Sequence, residues 1–150
     1  MSQAGHESKV RFELSLPSVA GSCRKARLVA SEICKDASLS PTSEYRILLA
    51  VDELCQNVIH YAYGGPTDQQ NFQIVFEYVP GCVWAEVRDE GCGFDEALLE
   101  PIEAGSQDLE SLMYLEQRGL ALVGALMDSR EIQSGPGGGT TVRISLNQPT

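Results

Sequence analysis

Positive charge is scarce in this chain of 150 residues. Lys and Arg number 11 against 21 Asp and Glu, a net charge of −10. A surface this acidic repels nucleic-acid phosphates and anionic membranes, which argues against direct binding to either. It favours a basic protein partner. Histidine is scarcer still, with only His6 and His60, and no CxxC pair occurs, so a Cys/His zinc site has no ligand set. The five cysteines (Cys23, Cys34, Cys55, Cys82 and Cys92) are odd in number. They suit reduced thiols in a cytoplasmic protein better than a disulfide framework. No apolar run approaches the roughly 20 residues that span a bilayer. The opening MSQAGHESKV has no apolar stretch of the kind a signal peptide needs. The expectation is a cytoplasmic protein with no membrane segment.

What is present is ordinary globular composition: 43% hydrophobic and 21% charged residues, in a length that suits one domain. Residues 1–8 read as a flexible N-terminus and 9–148 as the domain. Residues 10–16 (VRFELSL) alternate apolar and polar, a half-buried strand. Residues 17–35 carry apolar side chains at helical spacing. Ser40-Pro41 is a helix start, and the helix after it should run to about Tyr63, where Gly64-Gly65-Pro66 stops it. Its apolar stripe is Leu48, Val51, Cys55, Val58 and Ala62. Residues 71–78 and 82–88 read as strands joined at Val79-Pro80-Gly81. Residues 94–116 are acidic and weakly periodic, a mobile loop with short helical pieces. A helix over 119–127 and strands over 130–133 and 140–146 complete the order β-α-α-β-β-loop-α-β-β. The pattern predicts an α/β two-layer sandwich: a mostly antiparallel sheet covered on one face by helices.

Four segments carry chemistry: residues 53–63 (ELCQNVIHYAY), 89–95 (DEGCGFD), 118–123 (RGLALV) and 137–142 (GGGTTV). Glu53 and Asn57 are one helical turn apart on the same face. A carboxylate and an amide there can activate a hydroxyl and coordinate Mg2+ through oxygen. Asp89, at a strand end, can accept a hydrogen bond from an exocyclic amine such as that of adenine. Gly91 and Gly93 permit a tight turn and close backbone approach. Arg118-Gly119-Leu120 reads as a helix opening, where free N–H groups and the arginine favour phosphate. Each segment also has a plain structural reading: a polar helix face, an Asp/Gly turn, a loop–helix junction, a flexible strand entry.

In this order and spacing the four segments resemble the ATP-binding domain of the GHKL superfamily, with its Bergerat-type fold. Within that superfamily the chain is most similar to the anti-sigma-factor serine kinases. Their helix motif, E-x-x-x-N then H-x-Y, is matched by Glu53, Asn57, His60 and the residues after it. The resemblance spans about residues 10–146. It implies ATP and Mg2+ as cofactors, with Glu53 as general base and Asn57 as the Mg2+ ligand. It implies that Asp89 reads the adenine amine in a pocket shaped by Gly91 and Gly93. Arg118, Gly119 and Leu120 would meet phosphate, and Thr140 or Thr141 would lie near the adenine side. The implied function is an ATP-dependent serine/threonine protein kinase acting as an anti-sigma-type partner-switching regulator. Such a regulator phosphorylates a STAS-domain antagonist and holds a sigma factor or other effector. It also allows a homodimer, a state in which these regulators are often found.

The chain departs from that pattern in one motif. Gln117-Arg118-Gly119-Leu120 stands where the family often has Gly-x-Gly-Leu. Between Asp89 and Gln117 there is no Lys or Arg, and nine residues are Asp or Glu. Phosphate charge would then be met by Mg2+, backbone N–H groups and Arg118. The alternative reading is a non-catalytic nucleotide-binding module that sequesters a partner. Residues 95–117 are long for a loop in a compact domain, which predicts a lid that closes with nucleotide.

Overall fold

The computed structural model describes residues 8–93 and 115–148. Residues 1–8, read as the flexible N-terminus, and the lid over 95–117 fall outside this range, except for Ser8 and for residues 115–117. Those last three belong to a helix.

Five strands form one sheet in the order β1-β2-β3-β5-β4, with every neighbouring pair antiparallel. The strands are β1 (Val10–Ser18), β2 (Thr67–Val79), β3 (Cys82–Asp89), β4 (Ser129–Ser134) and β5 (Thr140–Asn147). Three helices pack against the sheet among the described residues: α1 (Gly21–Asp36), α2 (Pro41–Asn57) and α3 (Leu115–Leu126). This is the two-layer α/β sandwich that the alternating and helical patterns predict.

The layers are held by a core in which Phe72, Ile74, Phe76, Val83, Ala85, Ile144 and Leu146 of the sheet meet Ile47, Val51, Leu54 and Cys55 of α2. Across the sheet, Phe76 pairs with Phe12 and Ala85, and Ala85 with Ile144, so one register places these side chains in one row on the helix side. The other face is ionic. Glu77 takes Arg143 at 2.8 Å and Arg11 at 3.5 Å, and Arg143 also reaches Glu86 at 3.8 Å. The Arg143 hydrogen bond holds the Glu77 carboxyl below the usual glutamate range.

Local signals explain most boundaries. Ser40 Oγ accepts from the Ser43 N–H at 3.2 Å, and Pro41 occupies the first turn of α2. Such a cap is worth about 1 kcal/mol. Pro80-Gly81 turns β2 into β3, with Gly81 at φ +84°. Two boundaries differ from the sequence reading. First, α1 starts at Gly21, because Pro17 and Ser18 still belong to β1. Pro17 pairs with Asn71 there, and the register shifts between Pro17 and Ser18. An edge strand tolerates proline, since one side of it has no ladder to donate into. Second, α3 starts at Leu115. Arg118 and Gly119 therefore lie about one turn inside the helix, and the helix opening expected at Arg118-Gly119 is displaced toward the N-terminus.

The helix after Ser40 does reach Ala62, but not as one regular α-helix. Residues Val58–Ala62 form a π-helical turn. Such turns hold one residue more per hydrogen-bonded loop and often occur at functional sites.

Candidate functional site

The site is built where the C-terminal end of this long helix meets two loops. The loop after β3, residues 89–93, lies between the π-turn and the β4–β5 hairpin. On one side the Cys92 N–H donates to Ala62 O at 2.8 Å, which satisfies a carbonyl at the helix end. On the other side Gly137 N–H donates to Cys92 O at 2.6 Å and Gly139 N–H to Gly91 O at 3.1 Å. Three backbones thus stack without side chains between them. A β-carbon at Gly91 would lie 2.1 Å from Ala62 O, at Gly93 2.0 Å from Gly135 O, and at Gly139 2.3 Å from Asp89 O. Glycine is required at these positions because no larger residue fits.

Tyr63 pins the same loop. Its hydroxyl accepts from the Glu90 N–H at 2.9 Å and donates to Asn71 O at 3.2 Å. Burial pushes its phenol above the ordinary tyrosine value.

The stack holds Asp89 in place. Asp89 Oδ1 accepts from the Gly91 N–H at 2.9 Å. Burial pushes its carboxyl above the usual aspartate range, and backbone N–H groups of Gly91 and Thr140 partly oppose that shift. A carboxylate offers about four acceptor sites, so capacity remains for a further donor. Asp89 lines a cleft of about 450 Å³, including its open mouth, with Leu54, Val58, Ala62, Val87, Leu120 and Val142 as apolar walls. Thr140, Gly93, Cys92, Asn57 and Tyr61 complete the lining. A single buried carboxylate among aliphatic walls suits a flat, largely apolar ring that presents an amine.

Asn57 and Tyr61 also line a second, polar cleft with Glu53, Gln56, His60, Gly119 and Leu122. The two clefts therefore meet along one edge of the helix. Glu53 and Asn57 stand one turn apart there, as their spacing predicts. Gly119 lies against them: a β-carbon on it would come 2.4 Å from Glu53 Oε2 and 3.4 Å from Asn57 Oδ1. The glycine lets α3 cross α2 at this point.

The structure thus brings together Glu53, Asn57, Asp89, Gly91, Gly93, Gly119, Leu120 and Thr140. It does not bring in Thr141. Thr140 shares the helix side of β5 with Val142, whereas Thr141 alternates to the opposite face, paired with Arg88 and Gln133. The Arg118 side chain falls outside the described residues. Sequence reasoning did not anticipate Tyr61 as the residue common to both clefts, Tyr63 as the loop's anchor, or Cys92 in the lining. Tyr61 and Tyr63 follow Asn57 closely enough to have been found, had the helix been read as continuing to its last turn. Cys92 is the one exposed cysteine; the other four are buried, and burial pushes Cys34 up to about 12.

Residues 16–146 match the family model for the histidine kinase-like ATPase domain. The chain belongs to that family. No curated protein sequence matches it. Solved structures with the same fold include the RsbU and RsbW domains of Rv1364c from Mycobacterium tuberculosis, with a TM-score of 0.66 at 19% identity. That match covers 94% of this chain but only 34% of the other, so the chain spans about a third of that protein's length. A chain of the SiaB–SiaC complex from Pseudomonas aeruginosa has a TM-score of 0.63 at 15% identity, over 90% of this chain and 88% of that one. The histidine kinase domain of a blue-light activated kinase from Erythrobacter litoralis has a TM-score of 0.50 at 18% identity, over 83% of this chain and 60% of the other.

Membership of this ATPase family implies ATP as the nucleotide. The histidine kinase-like ATPase domain seen here fits it: the buried Asp89 carboxylate faces an aliphatic cleft, and the cleft opens toward an all-oxygen donor pair at Glu53 and Asn57. Among the described residues no helix is long and apolar enough to cross a membrane.

Proposed function

We propose that the chain is an ATP-dependent serine/threonine protein kinase of the anti-sigma, partner-switching kind, acting on a STAS-domain antagonist. The observation that carries this reading is the junction of the two clefts at Asn57 and Tyr61. Asp89 would hold the adenine amine on the apolar side. Glu53 would lie on the polar side, positioned to accept the proton of an incoming serine or threonine hydroxyl. Asn57, between them, is the oxygen ligand for Mg2+. Bound Mg2+-ATP supplies the γ-phosphoryl group and neutralises its charge. Phosphoryl transfer needs positioning and electrostatics more than covalent chemistry, which suits a single small domain. The solved SiaB–SiaC complex shows a neighbour of this fold in complex with another protein. That supports a protein partner here, a STAS-domain antagonist or an effector such as a sigma factor.

The test is to incubate the protein with radiolabelled ATP, Mg2+ and candidate STAS-domain proteins from the same genome. Transfer to a serine or threonine is expected. Glu53→Gln should keep ATP and partner binding while transfer falls about 10²–10⁴-fold, the usual cost of losing a general base. Asn57→Ala should weaken Mg2+-dependent ATP binding itself. Undiminished transfer by Glu53→Gln removes Glu53 from the base role.

One observation favours a second reading. Gly119 of α3 packs directly on the Glu53 carboxylate. A chain in which α3 keeps that carboxylate covered would bind nucleotide and sequester a partner without turnover. ATP binding with no transfer to any partner, in wild type and Glu53→Gln alike, is its signature.

A further inference from the structure

The two edges of the sheet are built differently. β4 is short: its six residues are SREIQS, and Arg130 Nη1 folds back to donate to Leu120 O at 2.7 Å. β1 has nine residues, and its only irregularity lies at the far end, between Pro17 and Ser18. Over residues 10–16 it has neither proline nor bulge. Its apolar side chains on the helix side are uncovered, with Val10 48% and Phe12 46% exposed. A long regular edge of this kind is a template for another strand, and proteins normally blunt such edges.

The sequence of this edge is complementary to itself. We propose that β1 pairs antiparallel with β1 of a second copy of the chain, about a two-fold axis at Phe12. Phe12 then faces the second copy's Phe12, Val10 faces Leu14, and Arg11 faces Glu13. Both ion pairs and both apolar pairs are formed twice, once on each side of the axis. Neighbouring registers are worse. An axis at Arg11 puts arginine opposite arginine, and an axis at Glu13 puts glutamate opposite glutamate. A half-residue shift sets the apolar row against the charged row. The register is thus selected by charge as well as by shape. It would join the two five-stranded sheets into one, with the helices of both copies on the same side. The proposal does not depend on the nucleotide site.

Sedimentation equilibrium on the full chain tests it. The wild type should sediment as a dimer. Phe12→Glu should give the monomer mass, with circular dichroism showing that the fold is kept. Arg11→Glu alone or Glu13→Arg alone should weaken association roughly tenfold, since two attractive cross-strand pairs become repulsive. The double variant Arg11→Glu/Glu13→Arg should recover it, because the pairs are re-formed with their signs exchanged. In a Cys92→Ser background, Phe12→Cys should cross-link to itself under mild oxidation, because paired positions in antiparallel strands lie within disulfide reach. Val10→Cys should not cross-link to itself, yet should do so when mixed with Leu14→Cys. A wild type that stays monomeric would overturn the proposal. So would a dimer indifferent to Phe12→Glu, or a Val10→Cys chain that cross-links to itself as readily as Phe12→Cys.

Discussion

The apolar and polar halves of the cleft share two residues but are made by different means. The half around Asp89 is made of backbone. Its shape comes from three main-chain segments in contact at Gly91, Gly93 and Gly139. The half around Glu53 is made of side chains, four of them from a single helix edge: Glu53, Gln56, Asn57 and His60. A backbone-built wall cannot change one residue at a time, because any β-carbon collides with a main-chain atom. A side-chain-built wall can exchange its chemistry and leave the fold alone. Base recognition is therefore the rigid part of this site, and reactivity is the part open to change.

The sharpest way to break the contrast is Gly91→Ala. Its β-carbon would meet Ala62 O at 2.1 Å, so the loop must leave the π-turn. Overpacking of this kind costs about 1–3 kcal/mol or more, seen as a fall in melting temperature. ATP binding should be lost with it. Gly135→Ala, on the adjoining hairpin with nothing within 4 Å, is the control and should melt like wild type. Glu53→Gln should also melt like wild type. A Gly91→Ala chain with unchanged melting and unchanged ATP affinity would show that the backbone wall is not the constraint.

Next in size is Asp89→Asn. ATP affinity should fall roughly 10–100-fold, the worth of a hydrogen bond to a charged acceptor, and preference over GTP should disappear. Stability should move the other way. The folded chain holds the Asp89 proton more tightly than the unfolded chain, because burial disfavours the charge. Wild-type stability from this group therefore falls as pH rises from the ordinary aspartate range through the raised folded value, and the penalty is complete above it. The variant should gain on wild type at neutral pH and lose that advantage in acid. Calorimetric binding and melting curves across pH check both halves.

The smallest effect belongs to Tyr63→Phe. It removes one acceptor and one donor from the loop's anchor, about 1 kcal/mol, and should loosen ATP binding a few-fold. Hydrogen exchange at the Glu90 amide reads the loosening directly. An unchanged exchange rate would mean that the glycine stack alone holds the loop.

Elements with local causes were legible in the sequence. Alternation in VRFELSL, the Ser40-Pro41 cap and the Pro80-Gly81 corner each act within a few residues, and each sits where its pattern placed it. Glu53 and Asn57 share a face because helix geometry alone requires it. What was not legible depends on distant partners. Residues 67–70 are polar and show no alternation, yet Thr67 extends β2 by pairing with Ser18 across the bulge. The choice of Thr140 over Thr141 is a matter of strand phase, which two adjacent threonines cannot reveal. The Tyr63–Glu90 contact joins residues 27 apart and leaves no local trace. The start of α3 was misplaced because Gly119 looked like a junction. Its glycine is there for the crossing with Glu53.

The π-turn at Val58–Ala62 has a consequence for which insertions and deletions the gene can tolerate. A π-turn is one residue more than a regular helix would hold. Deleting any one residue of this stretch would restore the α-helix and rotate everything after it by about 100° relative to Asn57. Ala62 O would then point away from Cys92, and Tyr63 away from Glu90. The number of residues between Asn57 and Tyr63 is therefore fixed as firmly as their identities. Length variation in this stretch should be inherited only together with a rebuilt loop after β3.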